Sequence, residues 1–221
     1  MSTFPGSPRV LKGAVVGVNI LDPLSSIVLF QYNPETLTRT LQANAAGEAS
    51  DKTEALRLKG PPNESIKFDI ELDAADQLEQ GDEAAARFGV HPALSRLELL
   101  LYPSSTVVIA NEALARLGVI EVVPPEAPLT LLVWGPKRIL PIRLTGFTVT
   151  EESFDTFLNP IRAKVSLDVQ VLNYHDLDLV SVGGALFLAH QLAKEAMAGT
   201  GTPTSLSAAG SAVGIDLGIG G

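Results

Sequence analysis

The 221-residue sequence contains no cysteine. This absence excludes a disulfide framework, a thiolate metal site and a cysteine nucleophile. The sequence also lacks an excess of positive charge, because 16 Lys and Arg stand against 25 Asp and Glu, for a net charge of −9. A nucleic-acid-binding surface is therefore not expected, since such surfaces need clustered cations that neutralise phosphate.

No long hydrophobic run is present either. The first ten residues, MSTFPGSPRV, lack the apolar segment of a secretory signal, and we expect a cytoplasmic protein. The most apolar late stretch, VGGALFLAHQLAKEAMAG, carries His190, Lys194 and Glu195, whereas a membrane span needs about 20 apolar residues without charges. We expect this stretch to be a helix of a soluble protein, with no direct membrane insertion.

Motifs for catalysis and nucleotide binding are missing as well. There is no G-x-S-x-G elbow, no P-loop and no H-E-x-x-H pair. Metal-ligand spacing is absent among the three histidines, which are His91, His175 and His190. The carboxylates Asp69, Glu71 and Asp73 share one face of a predicted strand, and a solvated face is a simpler interpretation of them than a cation site. We therefore predict no enzyme activity, no metal and no cofactor.

The strongest positive signal is a hydrophobic period of two in long segments. In NPIRAKVSLDVQVL (159–172), apolar and polar residues alternate over eleven residues, which predicts a strand with one buried face and one exposed face. SIKFDIELDA (65–74) repeats the pattern. In RILPIRLTGFTVTEESF (138–154) the apolar parity shifts at Gly146, which predicts a β-bulge. A turn at Leu158-Asn159-Pro160 predicts that this segment and the next strand form a hairpin.

Shorter elements complete the prediction. Further strands are expected at 9–20, 26–32 and 129–135, with a turn around Asp22-Pro23 between the first two. Trp134 lies near the end of the strand 129–135 and is predicted to fill the core or a corner of the fold. Helices are expected where Leu94, Leu97 and Leu101 follow Pro92, at 111–118, and from Gly184 to Met197 with a cap near Ser181. The last 22 residues are mostly Gly, Ser, Ala and Thr with few large side chains, and could not order alone.

Several of these segments together resemble one protein family. VLFQYNPETLTRTL (28–41), with Phe30, Asn33, Pro34 and Arg39, resembles the F-x-x-N-P start of tube and baseplate-hub proteins of contractile injection systems, the phage-tail-like particles of bacteria. The segment from 60 to 82 is similar to the central strand of that family. The later part is similar to its Trp-Gly strand, aromatic-bearing hairpin and P-x-R-A-x-V strand. The matching positions there are Trp134, Gly135, Phe154, Phe157, Pro160, Arg162, Ala163 and Val165.

This resemblance covers roughly residues 10–175 and implies a fold and a role. The implied fold is mainly β with minor α, as a two-sheet sandwich or barrel over 1–175 with inserted helices at about 85–120. A C-terminal helix and a Gly/Ser-rich tail follow over 176–221. The implied role is structural, in a ring of six copies whose sheets join into one barrel around a lumen. The implied partners are other copies of the chain, the inner tube protein, and the spike, hub and baseplate proteins.

In such a ring the polar faces of the long strands would line the channel. The candidate lumen-facing residues are Lys67, Asp69, Glu71, Lys164 and Asp168. Many relatives in the baseplate carry a C-terminal LysM module, and no such pattern occurs in 176–221. The inserted helices favour a tube initiator or adaptor over the plain tube protein.

Two other hypotheses stay open at this point. The chain could be a small-molecule-binding β-barrel of lipocalin type, with apolar residues around an internal cavity. It could also be a monomeric β-sandwich whose polar face simply meets solvent.

Overall fold

A computed structural model describes residues 11–18, 26–45, 57–118 and 128–199, and these form a mainly β fold with minor α, as predicted. The strands are β1 (Ala14–Val18), β2 (Ser26–Leu29), β3 (Leu37–Gln42), β4 (Asn63–Asp73), β5 (Leu129–Val133), β6 (Ile139–Phe154) and β7 (Pro160–Val171). The helices are α1 (Ala75–Glu79), α2 (Glu83–Phe88), α3 (His91–Glu98), α4 (Ser105–Arg116) and α5 (Val182–Gly199).

The seven strands form one antiparallel sheet in the order β2-β1-β5-β6-β7-β4-β3. The expectation of two separate sheets is therefore wrong for the described residues. The reason is the length of β6, because its first residues, Ile139–Ile142, pair with β5 while the strand continues along β7. One strand thus belongs to both halves of the sheet and joins them by hydrogen bonds.

The sheet curls so strongly that its two halves pack on each other. Phe68 lies on β4 and Trp134 directly follows β5, three strands away in the sheet order. In a flat sheet those strands would lie about 14 Å apart. The two ring centroids are only 6.0 Å apart, and Phe30 lies within 6.1 Å of both. Trp134 therefore packs against the core, as predicted.

The long strands keep the predicted alternation. Val165 and Leu167 on β7 are buried, while Lys164 and Asp168 lie on the opposite, exposed face. The pairing of β6 with β7 shifts register between Leu144 and Gly146, which confirms the predicted bulge and hairpin. The extra residue brings Phe147 and Val149 back to the core side after the shift.

The helices differ from their predicted bounds, most clearly in α3 and α4. In α3, Leu94 and Leu97 are buried as expected, but Leu101 is exposed because the helix ends at Glu98 and Leu100 turns inward instead. Helix α4 begins at Ser105, six residues before the predicted start, and Gly118 follows its end with a φ of 81°. A left-handed conformation of this kind favours glycine.

Helix α5 packs along β6 and contributes Phe187 to the shared core. Its start agrees with the predicted cap, because the Ser181 Oγ accepts a hydrogen bond from the Gly184 N–H at 3.1 Å. Among the described residues, no helix is long and apolar enough to cross a bilayer.

Other expectations stay predictions. The turn at Asp22-Pro23 and the C-terminal tail from residue 200 lie outside the described residues. So do residues 9–10 and 19–20 of the predicted strand 9–20. Within its described part the strand is shorter than predicted, because residues 11–13 are not strand and Ala14–Val18 are. The division of the chain at residue 175 is likewise untested.

Candidate assembly interface

The exposed face of the curled sheet carries a ladder of cross-strand ion pairs. Lys67 on β4 lies 3.1 Å from Asp168 on β7, and Lys164 lies 3.8 Å from Glu71. Asp69 lies on the same exposed face. All five candidate lumen-facing residues therefore share one polar surface, because their strands are adjacent and in register. Whether that surface faces a lumen stays a prediction.

A third pair, Arg162 with Asp73, ends this ladder. The guanidinium donates to one carboxylate oxygen at 2.7 and 3.1 Å. Burial acts to raise the pKa of Asp73, but the backbone N–H of Ala75 and the Arg162 guanidinium outweigh it and hold that pKa below its usual value. Arg162 from the P-x-R-A-x-V segment therefore adds a side-chain link to the main-chain pairing of β7 with β4. Ala163 beside it is fully buried.

Over most of its length, β6 has a second strand beside it on only one side in the described part of the chain. Strand β5 pairs with β6 only over Ile139–Ile142, whereas β7 follows β6 to Phe154. Among the described residues, Arg143–Phe154 thus has a strand neighbour on one side only. Such a stretch presents main-chain N–H and C=O groups that another strand can pair with.

The F-x-x-N-P segment forms hydrogen bonds with the residues just before β1. The Asn33 side chain accepts a hydrogen bond from the Gly13 N–H at 2.9 Å and donates to the Leu11 carbonyl at 2.8 Å. Phe30 beside it is fully buried in the aromatic core, while Pro34, half-buried, starts the chain towards β3. These motif residues thus have structural contacts in the folded chain.

Glu64 connects the sheet to α5. It is buried, and its carboxylate lies 2.6 Å from the Arg39 guanidinium and 3.6 Å from the Lys194 ammonium. Two cations around one buried carboxylate satisfy its charge. Arg39, chosen from the family resemblance, is therefore an ion-pair partner that fixes edge strand β3 to β4.

A groove of about 500 Å³ opens beside this ion pair, between α5, the end of β3 and the start of β4. Its walls are largely apolar, and its lining residues include Leu41, Leu58, Pro61, Tyr174 and Phe187. The Tyr174 and Phe187 rings meet edge to face at 6.0 Å. Gly60 in the wall has a φ of 155°, and a side chain there would collide with the His175 imidazole. The polar end of the groove is formed by Glu64, His190 and Lys194.

His190 is the residue that the sequence did not mark as special. It is buried, and none of the residues that the structure describes forms a hydrogen bond with its Nδ1 atom. Burial lowers its pKa, with help from the nearby Lys194 charge, so the imidazole is neutral near pH 7. Its position in an apolar helical run gave no signal for this, because its environment comes from β4 and from the turn before β6.

At the opposite end of the sheet, the turn between β6 and β7 exposes a cluster of apolar side chains. Phe157 is 83% exposed and Leu158 is 77% exposed, and Phe154 beside them is half-exposed. We call Phe154, Phe157 and Leu158 the hairpin knob. Phe154 and Phe157 are also positions of the hairpin that resembles the tube-protein family.

The hairpin knob is held rigidly in spite of its exposure. The Asp155 carboxylate accepts hydrogen bonds from the Phe157 N–H at 2.7 Å, the Asn159 N–H at 2.8 Å and the Asn159 side chain at 2.8 Å. These bonds, led by that of the Asn159 amide, lower the pKa of Asp155. The Asn159 side chain also donates to the Arg87 carbonyl at 3.2 Å, and the Pro160 carbonyl accepts from the Val90 N–H at 2.9 Å. The turn is thus anchored on α2 and α3.

The remaining selected residue, Gly135, turns the chain after β5 with a φ of 77°. Among the described residues, no cluster of three or more His, Asp and Glu side chains could hold a metal ion.

Taken together, these surfaces define a β-sheet protein with an open strand edge, a polar sheet face and two separate apolar surfaces. The chain matches no protein-family model, and no curated protein matches it.

Proposed function

We propose that this chain is a structural ring protein of a contractile injection system, placed at the junction between the inner tube and the baseplate hub. The observation that carries the proposal is the open edge of β6 over Arg143–Phe154. A long open edge invites non-specific strand pairing unless it is covered. Closure of copies into a ring would cover the edge of every copy.

The strand directions suit such closure. In the order β6-β7-β4-β3 every neighbouring pair is antiparallel, so β6 and β3 run in opposite directions. The β6 edge of one copy can therefore lie beside the β3 edge of the next, and the antiparallel alternation continues without a break. A contact between two different surfaces of identical chains closes into a ring when the rotation between copies closes. We propose six copies, as the family resemblance implies.

The polar ladder then lines the channel of the ring. In each copy the buried face packs on its own core, and the face with Lys67, Asp69, Glu71, Lys164 and Asp168 turns to the lumen. The inserted helices α1–α4 lie outside this ring of strands and supply surface for the inner tube protein and for spike, hub and baseplate proteins. We place the ring as a tube initiator or adaptor.

The described strands favour this proposal over a lipocalin-type barrel. A barrel that closes within one chain leaves no edge strand. Here β2 and β3 each have a strand neighbour on one side only. The described strands therefore form an open sheet.

Cross-linking at the proposed edges tests the ring. The natural chain has no cysteine, so a Thr40→Cys, Thr148→Cys double variant carries reactive thiols only on β3 and on the open part of β6. Both positions are exposed. A short bis-maleimide should produce a ladder of covalent species that ends at six chains, together with six-fold rings in electron micrographs.

Each single-cysteine variant serves as the control, because one thiol per chain cannot link more than two chains. A double-variant ladder that stops at two chains, or that continues past six without an end, would overturn the proposal.

A further inference from the structure

We propose that residues 213–219, which we call the tail segment, dock as an extended strand beside β3 of the same copy and cover the groove next to α5. The contact itself does not need the proposed function. Its consequence rests on that function: free copies keep their β3 edge covered until β6 of a neighbouring copy displaces the tail segment and closes the ring.

The surface that receives the tail segment is a sheet edge next to an apolar groove. Among the described strands, β3 has a neighbour on one side only. Its Leu37 packs against the core, and Leu41 lies on the same face of the strand but is 51% exposed and lines the groove. Leu58 on the groove wall is 69% exposed. An edge of this kind can accept one more strand, which brings apolar side chains to the adjoining groove.

The tail segment has the alternation that such a strand needs. Its apolar residues are Val213, Ile215, Leu217 and Ile219, and the residues between them are Gly214, Asp216 and Gly218. This period of two predicts a strand with one apolar face and one face of small or polar residues. Residues 200–212 and 220–221 contain one large apolar side chain, Leu206. The large apolar side chains after α5 are thus concentrated in the tail segment.

The alternations of the tail segment and of β3 fit each other. Residues that lie opposite each other on neighbouring strands share a face of the sheet. The apolar face of the tail segment would therefore lie on the side of Leu37 and Leu41, and its glycines on the side of Thr38 and Thr40. Docking in this orientation would remove Leu41 and Leu58 from water, which favours the contact.

The length of chain after α5 allows this contact within one copy. Lys194 lines the groove, and α5 ends at Gly199, about 8 Å further along the helix axis. Residues 200–212 separate that end from the tail segment and can span up to about 45 Å. Gly201 and Pro203 among them favour a turn directly after the helix. The tail segment can therefore reach β3 of its own copy.

The composition of the tail segment makes the contact reversible. Glycine inside a strand weakens it, because glycine loses more conformational freedom on ordering than other residues do. Gly214 and Gly218 are such residues. The open part of β6, Arg143–Phe154, is longer and contains Thr145, Thr148 and Val149, which are residues that favour strands. Strand β6 of a neighbouring copy should therefore replace the tail segment once the copies are in position.

Cross-linking within the whole chain tests the contact. The natural chain has no cysteine, so a Leu58→Cys, Ile215→Cys variant carries one thiol on the groove wall and one on the tail segment. The matched control, Phe157→Cys with Ile215→Cys, places the first thiol at the opposite end of β7, about 40 Å along the strand. Leu58 and Phe157 are exposed, so both variants should fold like the natural chain. A short bis-maleimide is added at low protein concentration, and mass spectrometry identifies the linked peptides.

The link between positions 58 and 215 should form within single chains at least about tenfold faster than the link between 157 and 215, since a docked segment has a higher effective concentration than a free tether. Addition of Val213→Asp and Leu217→Asp to the first variant should lower its rate to that of the control, because the contact would then bury two charges against apolar walls. Equal rates in the two double-cysteine variants, a rate that the aspartates leave unchanged, or links that join two chains would each overturn the contact.

A second measurement separates this contact from the proposed ring. The Thr40→Cys, Thr148→Cys variant should reach its six-chain ladder faster when it also carries Val213→Asp and Leu217→Asp, because its β3 edge is then uncovered. A six-chain ladder that forms at the same rate in both cases would overturn the role of the tail segment in assembly and leave the ring standing. Fast linking of 58 to 215 in a chain that forms no six-chain ladder would support the contact and refute the ring.

Discussion

Two glycines with positive φ differ in what an added side chain would meet. Gly89 has a φ of 55°, and a Cβ added there would strike the Pro160 carbonyl oxygen, which already accepts the Val90 N–H. Gly135 has a φ of 77°, and a Cβ there would meet nothing within 4 Å. The ψ of Gly89 is −132°, so an alanine at this position, at the scale of single residues, adds an unfavourable backbone conformation to the collision.

We expect Gly135→Ala to lower the free energy of unfolding by about 1–2 kcal/mol, the usual cost of a left-handed alanine. Gly89→Ala should cost clearly more, because the backbone of the hairpin anchor must also move. Urea denaturation of both variants measures the difference. Equal losses would show that the contact of Gly89 with the β7 start does not constrain the fold.

His190 makes the stability of the fold depend on pH. Burial and the charges of Lys194 and Arg138 lower its pKa, while the Lys137 carbonyl and Glu64 act in the opposite direction. In the unfolded chain the imidazole takes up a proton near pH 6.5, whereas in the folded chain it does so only at lower pH. The unfolded state thus binds more protons in this range, and the free energy of unfolding falls as the pH drops through it.

A His190→Gln variant should lack this part of the decline. Urea denaturation of both proteins between about pH 7.5 and about pH 5 should show a steeper loss for the natural chain. Carboxylates such as Asp73 titrate in both proteins and cancel in the comparison. Parallel declines would mean that His190 is solvated or partnered in solution.

At the residue scale, a local sequence pattern predicts burial where the burial depends on neighbouring residues. The burial of Val165 and Leu167 follows from their alternation with Lys164 and Asp168, which is a property of neighbouring residues. The environment that lowers the pKa of His190 does not follow from this local pattern. Among the groups that act on that pKa, Lys137 and Glu64 lie more than 50 residues away in the sequence.

At the scale of elements, α5 has one face in the core and one face in solvent. Phe187 is buried against the sheet and against Tyr174, while the next residue, Leu188, is 41% exposed. The sheet of the chain itself therefore covers one face of the helix. Leu192 remains exposed on the outer face, which is thus available to another subunit.

We expect Phe187→Ala to lower the free energy of unfolding by about 3–5 kcal/mol, the usual cost of removing a buried phenyl ring. Leu188→Ala, its direct neighbour, should stay within about 1 kcal/mol, since half-exposed positions bury less apolar area. Guanidinium denaturation compares the two variants. If both changes cost the same, α5 docks on the sheet in a different rotation about its axis.

Helix α4 illustrates why element bounds were harder to predict than strand faces. Its first turns contain Thr106, Val107, Val108 and Ile109, and β-branched residues of this kind have low helix propensity. The sequence pattern therefore indicated a helix only from residue 111. The long strands were predicted well because a period of two over ten or more residues has few competing explanations.

At the scale of the whole molecule, features that depend on the pairing of distant segments could not be predicted from the sequence. Lys67 and Asp168 are 101 residues apart and still meet at 3.1 Å. Alternation predicts that each strand has a buried face, but it does not predict the order of the strands in the sheet. The same limit explains why two sheets were expected where β6 joins all seven described strands into one. The groove beside α5 was missed for this reason too, because its walls come from β3, β4 and α5.

The single connection between β6 and β7 gives any assembly of these chains a front and a back. The hairpin knob occurs only where β6 ends and β7 begins, and the groove only where β7 ends and β4 begins. Copies related by rotation would all place their knobs on one rim and their grooves on the other. An assembly grown from such units would be polar, because its two ends would be chemically different. It could start from a template that fits one end and stop at a cap that fits the other, with no signal beyond the contact surfaces themselves.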